Sequence, residues 1–464
     1  MKFILKPGVR VNSVSVEDVF FGDSGKGRVV AEFNRLLSTK RSLYSLRYNG
    51  GANAGHEVYV NGKQIVTHQL PMTVIQERAT ALMGRGMVIH PQDLVTELSQ
   101  VKKIFKGKLP GKLLIDPKTP LCLDTHRALE TVYNSATSGG KGSTGRGLAT
   151  AYASFYLRFP VTFGDLYLND WQGLLRDHYK FYRNMTLGFG KKFNLADIEV
   201  KRLGIDGKLR VGSEKDFINS LKVGIVALRE YIGWNFYEVL KNAWENTKVA
   251  FTFEGAQGAG LDPYHGVYPD VTSSRPMSRF IGDSTYSIVE PADIAIRAAV
   301  MKTTYMSSVG QRILPTIADP KLEKWIQEKF DEKGRSTGRL RDIYPVSVPI
   351  AQYLKKAAGY QYLIATHLDA SKGEKIKVIT EYRNRKTGEK SFYLPYQDHL
   401  DKLEARGVEF KGWDGEEIKK IKSPKDLPKE AKVYLDYLGK NIAPVIFATT
   451  GPELGKNYLS WIEL

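Results

Sequence analysis

The chain has 464 residues, of which 42% are hydrophobic and 25% are charged, as in an ordinary globular protein. No apolar run is long enough to cross a bilayer, and the N-terminus lacks the apolar core and cleavage site of a secretory signal. Cys122 is the lone cysteine, which excludes an internal disulfide and fits a reducing cytoplasm. No Cys/His set has zinc-ligand spacing. We therefore expect a cytoplasmic protein without a membrane partner.

The formal net charge is +18, and a basic chain attracts polyanions. Lys and Arg are nevertheless spread along the whole sequence and interleaved with Asp and Glu, and no nucleic-acid-binding module is recognisable. A solvated basic surface or several bound small anions account for the charge. We do not expect a nucleic-acid partner.

The first elements in chain order are a strand, a loop and a helix. Residues 14–21 are rich in Val and Phe, the loop 22–27 is rich in Gly, and apolar residues then recur at helical spacing from Val29 to Leu37. That order places loop amides at a helix N-terminus, where backbone donors and the helix dipole favour anions. Phe20 stands where a Walker A loop has its first glycine, so this is not a Walker A loop.

The rest of the chain alternates between strand and helix patterns. Residues 58–66 predict a β-hairpin with an Asn-Gly turn. Residues 217–244 predict a helix interrupted near Gly233, and residues 249–253 predict a short strand that leads into a glycine-rich loop. A second hairpin is predicted from residues 375–382 and 390–394. The alternation favours an α/β fold with a mainly parallel central sheet, formed by one large domain, residues 1–464, with insertions.

Two glycine-rich segments, residues 22–28 and 50–56, carry groups suited to phosphate chemistry. Glycines let the backbone approach a phosphate, Lys26 supplies positive charge, and Asp23 and His56 supply a base and an acid. Taken alone, the first segment could be a plain tight turn, and His56 could be a packed or solvent-exposed histidine. Further segments follow in a fixed order: 143–147, 254–262, 268–274, 336–341, 366–369 and 449–452.

In this order the segments resemble the signature of the adenylosuccinate synthetase family, from about residue 14 to residue 459. The resemblance implies an α/β fold related to P-loop NTPases. The implied fold has a large, mainly parallel central sheet flanked by helices, with small hairpin and helical insertions. The resemblance also implies Mg²⁺ dependence, a homodimer and three substrates: a nucleoside triphosphate, a 6-oxopurine nucleotide and L-aspartate.

The resemblance also implies residue roles. The implied catalytic residues are Asp23, Lys26 and His56, and the implied Mg²⁺ ligands are Asp23 and the Gly55 carbonyl. The residues implied for the purine nucleotide are Ser24, Asn53, Thr144, Arg158, Gln257, Leu261 and Thr272, with Arg158 reaching a neighbouring subunit's site. Those implied for aspartate are Ser336, Thr337, Arg339 and Arg341. Those implied for the triphosphate are Gly22, Gly25, Lys26, Gly27, Asp369, Thr449 and Gly451.

The residue types suit these roles. Arg339 and Arg341 flank one residue and can clamp a dicarboxylate with paired hydrogen bonds. The Asp369 carboxylate can accept hydrogen bonds from N1 and N2 of guanine, which favours GTP over ATP or dATP as the donor. His367 stands where the family has lysine, so stacking on the base can differ. Ala52 and Glu57 replace a family asparagine and threonine.

The implied reaction begins when Asp23 removes the N1 proton of the purine. O6 then attacks the γ-phosphate, and the amino group of aspartate displaces the 6-phosphate. Ser24 replaces a family glutamate, and a small hydroxyl near C2 would admit a 2-amino group. This pattern resembles the phage-type branch that makes 2-aminoadenylosuccinate from dGMP for 2-aminoadenine in DNA, where the enzyme acts in the host cytoplasm.

We therefore predict dGMP as the acceptor. Ordinary synthesis from IMP and GTP in AMP biosynthesis is the close alternative, and neutral drift at Ser24 would leave that alternative in place. A non-catalytic GTP- or nucleic-acid-binding protein is a distant alternative, because it leaves residues 254–274 and 336–341 unexplained.

Overall fold

The computed structural model describes residues 9–136, 144–308, 310–333, 338 and 340–463. Its strands are β1 (Arg10–Asp18), β2 (Leu43–Arg47), β3 (His56–Val60), β4 (Lys63–Thr67), β5 (Ala79–Met83), β6 (Lys112–Ile115), β7 (Glu199–Val200), β8 (Leu209–Arg210), β9 (Ala250–Glu254), β10 (Ile294–Lys302), β11 (Tyr305–Ser308), β12 (Asp342–Ser347), β13 (Tyr362–Thr366), β14 (Ile376–Asn384), β15 (Lys390–Ser391), β16 (Leu403–Phe410), β17 (Val445–Thr449) and β18 (Tyr458–Ser460).

The α-helices are α1 (Lys26–Ser38), α2 (Pro91–Ile104), α3 (Asp124–Ala136), α4 (Leu148–Tyr156), α5 (Trp171–Gly188), α6 (Glu214–Leu228), α7 (Phe236–Glu245), α8 (Ile281–Ser284), α9 (Pro320–Lys329), α10 (Val348–Ala358), α11 (Gln397–Leu400), α12 (Gly415–Ile418) and α13 (Lys429–Asn441). Within the described ranges, none of these helices combines the length and the apolar character needed to cross a bilayer.

The central sheet has nine strands in the order β18-β17-β13-β10-β1-β9-β2-β5-β6. Its pairs are parallel except at the edge, where β18 runs antiparallel to β17. Every residue of β9 is buried, as expected for a parallel strand covered on both faces. The predicted α/β fold with a large, mainly parallel sheet is confirmed.

Apolar side chains cover both faces of this sheet. Along β10, Ala298 and Val300 belong to one buried cluster, whereas Ala299 and Met301 belong to another. Alternate residues of a strand point to opposite faces, so the two clusters lie on opposite sides of the sheet. Helix α1 packs into the first cluster, where the Phe33 ring lies edge-on to Phe447 at 4.9 Å between centroids.

Local predictions agree with the structure except at some boundaries. The hairpin of β3 and β4 turns at Asn61 and Gly62, both with positive φ, and the helix break near Gly233 separates α6 from α7. Strand β1 ends at Asp18 rather than at Phe21. The cause is the Asp18 side chain, which accepts a hydrogen bond from the Phe20 amide at 3.0 Å and turns the chain out of the sheet.

A second sheet contains β11, β12, β14 and β15, with β16 also paired to β14. The predicted second hairpin is present, but its returning arm β15 has only two residues, Lys390–Ser391. The longer antiparallel partner of β14 is β16, which was not predicted. Most of β16 is exposed or half-buried, and its apolar alternation through Leu403 and Ala405 changes phase at Gly407 before Val408 and Phe410, so the pattern that marks a strand is weak there.

Candidate active site

A cavity of about 1190 Å³ opens at the carboxyl ends of several central strands. Its walls include the loop after β1, the loop after β9, and residues that follow β13 and end β17. Carboxyl ends of parallel strands meet at one edge of a sheet, which is where α/β proteins bind their ligands. Pockets for one small molecule measure about 300–1,000 Å³, so this cavity has room for more than one ligand.

The loop of residues 22–27 leads from β1 into α1. Gly25 caps the helix with φ +82°, a backbone conformation that side chains disfavour. A Cβ atom at Gly27 would lie 2.5 Å from the Cβ of His56, so only glycine lets α1 approach β3 this closely. The glycines thus bring the helix start next to His56. Lys26, the first helical residue, is 4% exposed and lines the cavity.

His56 is oriented by a carboxylate from β9. Its Nδ1 is in close contact with Oε1 of Glu254, and Oε2 of Glu254 accepts the Met72 amide at 2.9 Å. A carboxylate only accepts, so the proton sits on Nδ1 and leaves Nε2 for a ligand. Burial lowers the pKa of His56, while Glu254 acts in the opposite direction. The imidazole is therefore neutral near pH 7 in the protein without ligands.

Asp23 joins a chain of alternating charges. Its backbone has φ +56°, its side chain is 40% exposed, and its Oδ2 lies 2.5 Å from a terminal nitrogen of Arg341. The other terminal nitrogen of Arg341 contacts Glu332 at 2.6 Å, and Glu332 also pairs closely with Lys302. Burial by itself would raise the pKa of Glu332, but Lys302 and Arg341 outweigh it and lower the pKa to about 2. Arg341 thus points one nitrogen toward Asp23 while Glu332 fixes the other.

A wall of the cavity beside the phosphate loop carries neutral hydrogen-bonding groups. The Gln257 amide donates to Asn53 Oδ1 at 3.0 Å and accepts from the Ser274 hydroxyl at 2.7 Å. The Thr272 amide donates to the Leu261 carbonyl at 2.8 Å. These contacts fix a polar edge beside the apolar Leu261 side chain, a combination suited to a nucleobase.

The segment after β13 forms another end of the cavity. Lys419 Nζ lies 3.9 Å from an oxygen of Asp369, and burial raises the pKa of that carboxyl. The His367 ring lies near the rings of Phe330 and Tyr305, with centroids 5.9 and 6.4 Å away. Burial lowers the pKa of His367 to about 4, so the ring is neutral. This segment therefore offers an uncharged aromatic surface.

Most of the predicted residues that the structure describes meet in this one cavity. They are Gly22, Asp23, Gly25, Lys26, Gly27, Asn53, Gly55, His56, Thr144, Gln257, Leu261, Thr272, Arg341, Asp369, Thr449 and Gly451. Ser336, Thr337 and Arg339 lie outside the described residues.

Ser24 and Arg158 are placed elsewhere. Ser24 is 4% exposed and absent from the cavity wall, and its hydroxyl lies 3.4 Å from the Gly22 carbonyl. Its amide donates to Asp18 at 3.2 Å, which turns this peptide away from the cavity. The predicted contact between Ser24 and C2 of the purine stays a prediction. Arg158 lies on an exposed segment after α4, outside this chain's own cavity.

Among the charged residues that organise the site, Asp18, Glu254, Lys302 and Glu332 were not predicted. Glu254 belongs to a glycine-rich motif of the sequence, but its pairing with His56 spans 198 positions. Asp18 precedes the phosphate loop by a few residues and reads locally as the end of a strand. The sequence contains these carboxylates without any local pattern that indicates their partners.

Comparison with known proteins gives a consistent assignment. The family model described as adenylosuccinate synthetase matches residues 16–457. The adenylosuccinate synthetase of Bdellovibrio bacteriovorus is 30% identical over 98% of this chain and 99% of its own length. Fully ligated adenylosuccinate synthetase from Plasmodium falciparum has a similar structure, with a TM-score of 0.82 at 24% identity, over 97% of this chain and all (100%) of its own.

A phage structure is also similar, but less so. The succinoaminodeoxyadenylate synthetase of cyanophage S-2L, bound to dGMP and dATP, gives a TM-score of 0.56 at 15% identity, over 97% of this chain and 96% of its own. The phage branch predicted from Ser24 is thus not confirmed. The match over nearly the whole chain shows that the protein belongs to the adenylosuccinate synthetase family and is a carbon–nitrogen ligase.

Proposed function

We propose that the protein joins L-aspartate to C6 of IMP and uses GTP as the phosphate donor, as in AMP biosynthesis. The observation that carries this proposal is the convergence of Asp23, Lys26 and His56 with Gln257 and Asp369 on one cavity of about 1190 Å³. A carboxylate, a lysine and an oriented imidazole stand near one another, with base-recognising groups on the surrounding walls. The cavity is large enough to hold both nucleotides.

The first step is phosphoryl transfer to the purine. Asp23 accepts the N1 proton, and O6 forms a bond to the γ-phosphorus while the bond between that phosphorus and the β,γ-bridging oxygen breaks. The products of this step are a 6-phosphoryl purine nucleotide and GDP. Lys26 stabilises the charge on the transferring group, and positioning supplies most of the rate.

His56 acts on the triphosphate. In the protein without ligands its imidazole is neutral, because burial lowers its pKa. A bound triphosphate adds several negative charges beside Nε2, and Glu254 holds Nδ1 from the other side. Both favour the imidazolium. His56 then donates a hydrogen bond from Nε2 to the phosphate oxygens as negative charge develops on the leaving group.

In the second step the amino group of aspartate attacks C6, the bond from C6 to the phosphate oxygen breaks, and the proton released by the amine leaves with the phosphate, giving an N6-succinyl purine nucleotide. Arg341, with Ser336, Thr337 and Arg339, is proposed to hold the aspartate carboxylates. Because Arg341 contacts Asp23 at 2.5 Å, it brings the aspartate site next to the base.

Asp23 and the Gly55 carbonyl are the proposed ligands of Mg²⁺. Both line the cavity, and Oδ1 of Asp23 has no hydrogen-bond partner among the described residues. Mg²⁺ takes oxygen ligands and commonly uses one or two carboxylates together with substrate phosphates and water, so these residues fit. When bound, the ion neutralises phosphate charge.

IMP is favoured over dGMP as the acceptor for two reasons. Ser24, the residue on which the dGMP prediction depends, does not reach the cavity wall. The fold also follows the Plasmodium enzyme more closely than the cyanophage enzyme. GTP is favoured as the donor because Asp369 lies in the wall and can accept from N1 and N2 of guanine.

An assay with aspartate, Mg²⁺ and each pair of IMP or dGMP with GTP or ATP tests the assignment. We expect the IMP and GTP pair to give the highest kcat/KM, with the succinyl nucleotide identified by mass spectrometry. Faster turnover of dGMP than of IMP would overturn the acceptor and support the 2-amino branch. If aspartate is not consumed with any of these nucleotide pairs, the assignment as a ligase is overturned.

Ser24→Ala should leave the ratio of IMP to dGMP turnover within about 2-fold of wild type. The physical reason is that the hydroxyl points to the Gly22 carbonyl rather than into the cavity. The measurement is kcat/KM for the two acceptors on both proteins. A change of the ratio by an order of magnitude would show that Ser24 does contact C2 of the bound purine.

A homodimer is also proposed. Phe155, Tyr156, Leu157 and Phe159 are exposed around Arg158, and an apolar patch of this kind is typical of a surface covered by another subunit. Leu157→Glu should shift the protein to a monomer in analytical ultracentrifugation and reduce turnover, because Arg158 then no longer reaches a neighbouring cavity. Val226→Glu, on the exposed face of α6, is the matched control. A Leu157→Glu protein with unchanged mass and activity would contradict the placement of this interface.

A further inference from the structure

Asp18 is a buried carboxylate that the reaction described above does not use. It ends β1 and is 1% exposed. Its Oδ1 accepts the Phe20 amide at 3.0 Å, and its Oδ2 accepts both the Ser24 amide and Lys26 Nζ at 3.2 Å. One side chain thus binds the backbone just before the phosphate loop, the Ser24 amide within the loop, and the catalytic lysine at its end.

The contact with Lys26 joins two groups that are withdrawn from water. The side chain of Lys26 is 4% exposed and that of Asp18 is fully buried, at 0%. A lysine ammonium is a compact charge on a flexible stem with three donors. A bond to Asp18 restricts that stem and directs the other donors toward the cavity, which Lys26 lines. The same carboxylate is the counter-charge of Lys26.

Ser24 connects this pair to the other end of the site. Its amide is bound by Asp18, and its carbonyl accepts the Thr366 hydroxyl at 2.7 Å. Thr366 ends β13, immediately before His367 and close in sequence to Asp369, the residue proposed to recognise the base of the phosphate donor. The peptide of Ser24 is therefore clamped between Asp18 and the segment that recognises the donor base.

We propose that Asp18 is a positioning residue for phosphoryl transfer, which fixes Lys26 and the loop in the geometry that the transition state requires. This inference rests on the proposed function. Because Asp18 also neutralises part of the charge of Lys26, it weakens triphosphate binding while it favours the chemical step. Interactions that are stronger in the transition state than in the ground state are the ones that raise kcat.

The test is Asp18→Asn, which keeps the shape of the side chain and removes its charge. We expect kcat to fall by about 10- to 100-fold, since a misplaced catalytic group can cost roughly 100-fold. We expect GTP, measured by calorimetry, to bind as tightly as to wild type or more tightly. Asp18→Ser, which keeps an acceptor for the Phe20 amide, should behave alike if the asparagine variant folds poorly.

Asp116→Asn is the matched control. Asp116 follows β6 and is fully buried, like Asp18. Its Oδ1 accepts the Lys118 amide at 2.8 Å, and its Oδ2 lies 3.8 Å from Nε of Arg85. Asp116 does not line the cavity. Its replacement should shift the thermal midpoint much as Asp18→Asn does and leave kcat within about 2-fold of wild type, as for a substitution remote from the chemistry.

A double-mutant cycle with Lys26→Met gives the decisive readout. If Asp18 acts through Lys26, Asp18→Asn should reduce kcat by less than about 3-fold in the Lys26→Met background, because coupled residues are not additive. An equal loss in both backgrounds, or GTP binding weakened in step with kcat, would overturn the inference. If wild type consumes no aspartate, the proposed function fails, and the GTP calorimetry alone then decides whether Asp18 restrains Lys26.

Discussion

Asp23→Asn should reduce kcat by about 1,000-fold or more, because it removes the base that accepts the N1 proton, a role worth roughly 10²–10⁴-fold. It also removes the carboxylate that we assign to Mg²⁺ and the partner of Arg341 at 2.5 Å. The measurement is the rate of succinyl-nucleotide formation at saturating IMP, GTP and aspartate. The fold should survive, because the Asp23 side chain is 40% exposed.

Asp283→Asn provides the control for this change. Asp283 also pairs with an arginine, Arg275, at 3.6 Å, and it is not part of the cavity wall. We expect its replacement to leave kcat unchanged within 2-fold or so, as for most surface substitutions. An Asp23→Asn protein that keeps a tenth or more of the wild-type kcat would exclude Asp23 as the base.

His56→Asn should reduce kcat by about 10²–10⁴-fold, the range for a positioned acid or base. Asparagine keeps a donor near the place of Nδ1, so the buried Glu254 retains a hydrogen bond and is not left unpaired. GTP affinity, measured by calorimetry, should fall much less than kcat, because the binding groups of the loop are unchanged and the hydrogen bond from Nε2 strengthens mainly as charge develops on the leaving group.

The control variant for His56→Asn is His399→Asn. The His399 ring stacks on Phe392 away from the cavity, so we expect full activity. Loss of the folded state together with activity in His56→Asn would assign His56 to packing of α1 against β3. Intact turnover would remove it from the mechanism altogether.

Much of the central fold follows from local pattern. Valines and phenylalanines before residue 22, glycines up to residue 27 and helical spacing after it predicted β1, the loop and α1, and the structure contains all of them. Strand β16 was missed, because its apolar alternation changes phase at Gly407 and its stability comes from pairing with β14. Boundaries also moved where a side chain redirected the backbone, as Asp18 does at the end of β1.

The amino-acid sequence by itself determined the chemical groups of the site and the order in which they occur: flexible glycines, a lysine, a carboxylate, an imidazole and paired arginines. These depend on residue type and short spacing, which a linear pattern records. Only the tertiary structure decided which group orients which. The pairs His56–Glu254 and Asp23–Arg341 join positions 198 and 318 residues apart, and they form only when the sheet aligns the ends of its strands. It also decided that the Ser24 amide binds Asp18, since a loop's direction is set by the hydrogen bonds of its backbone.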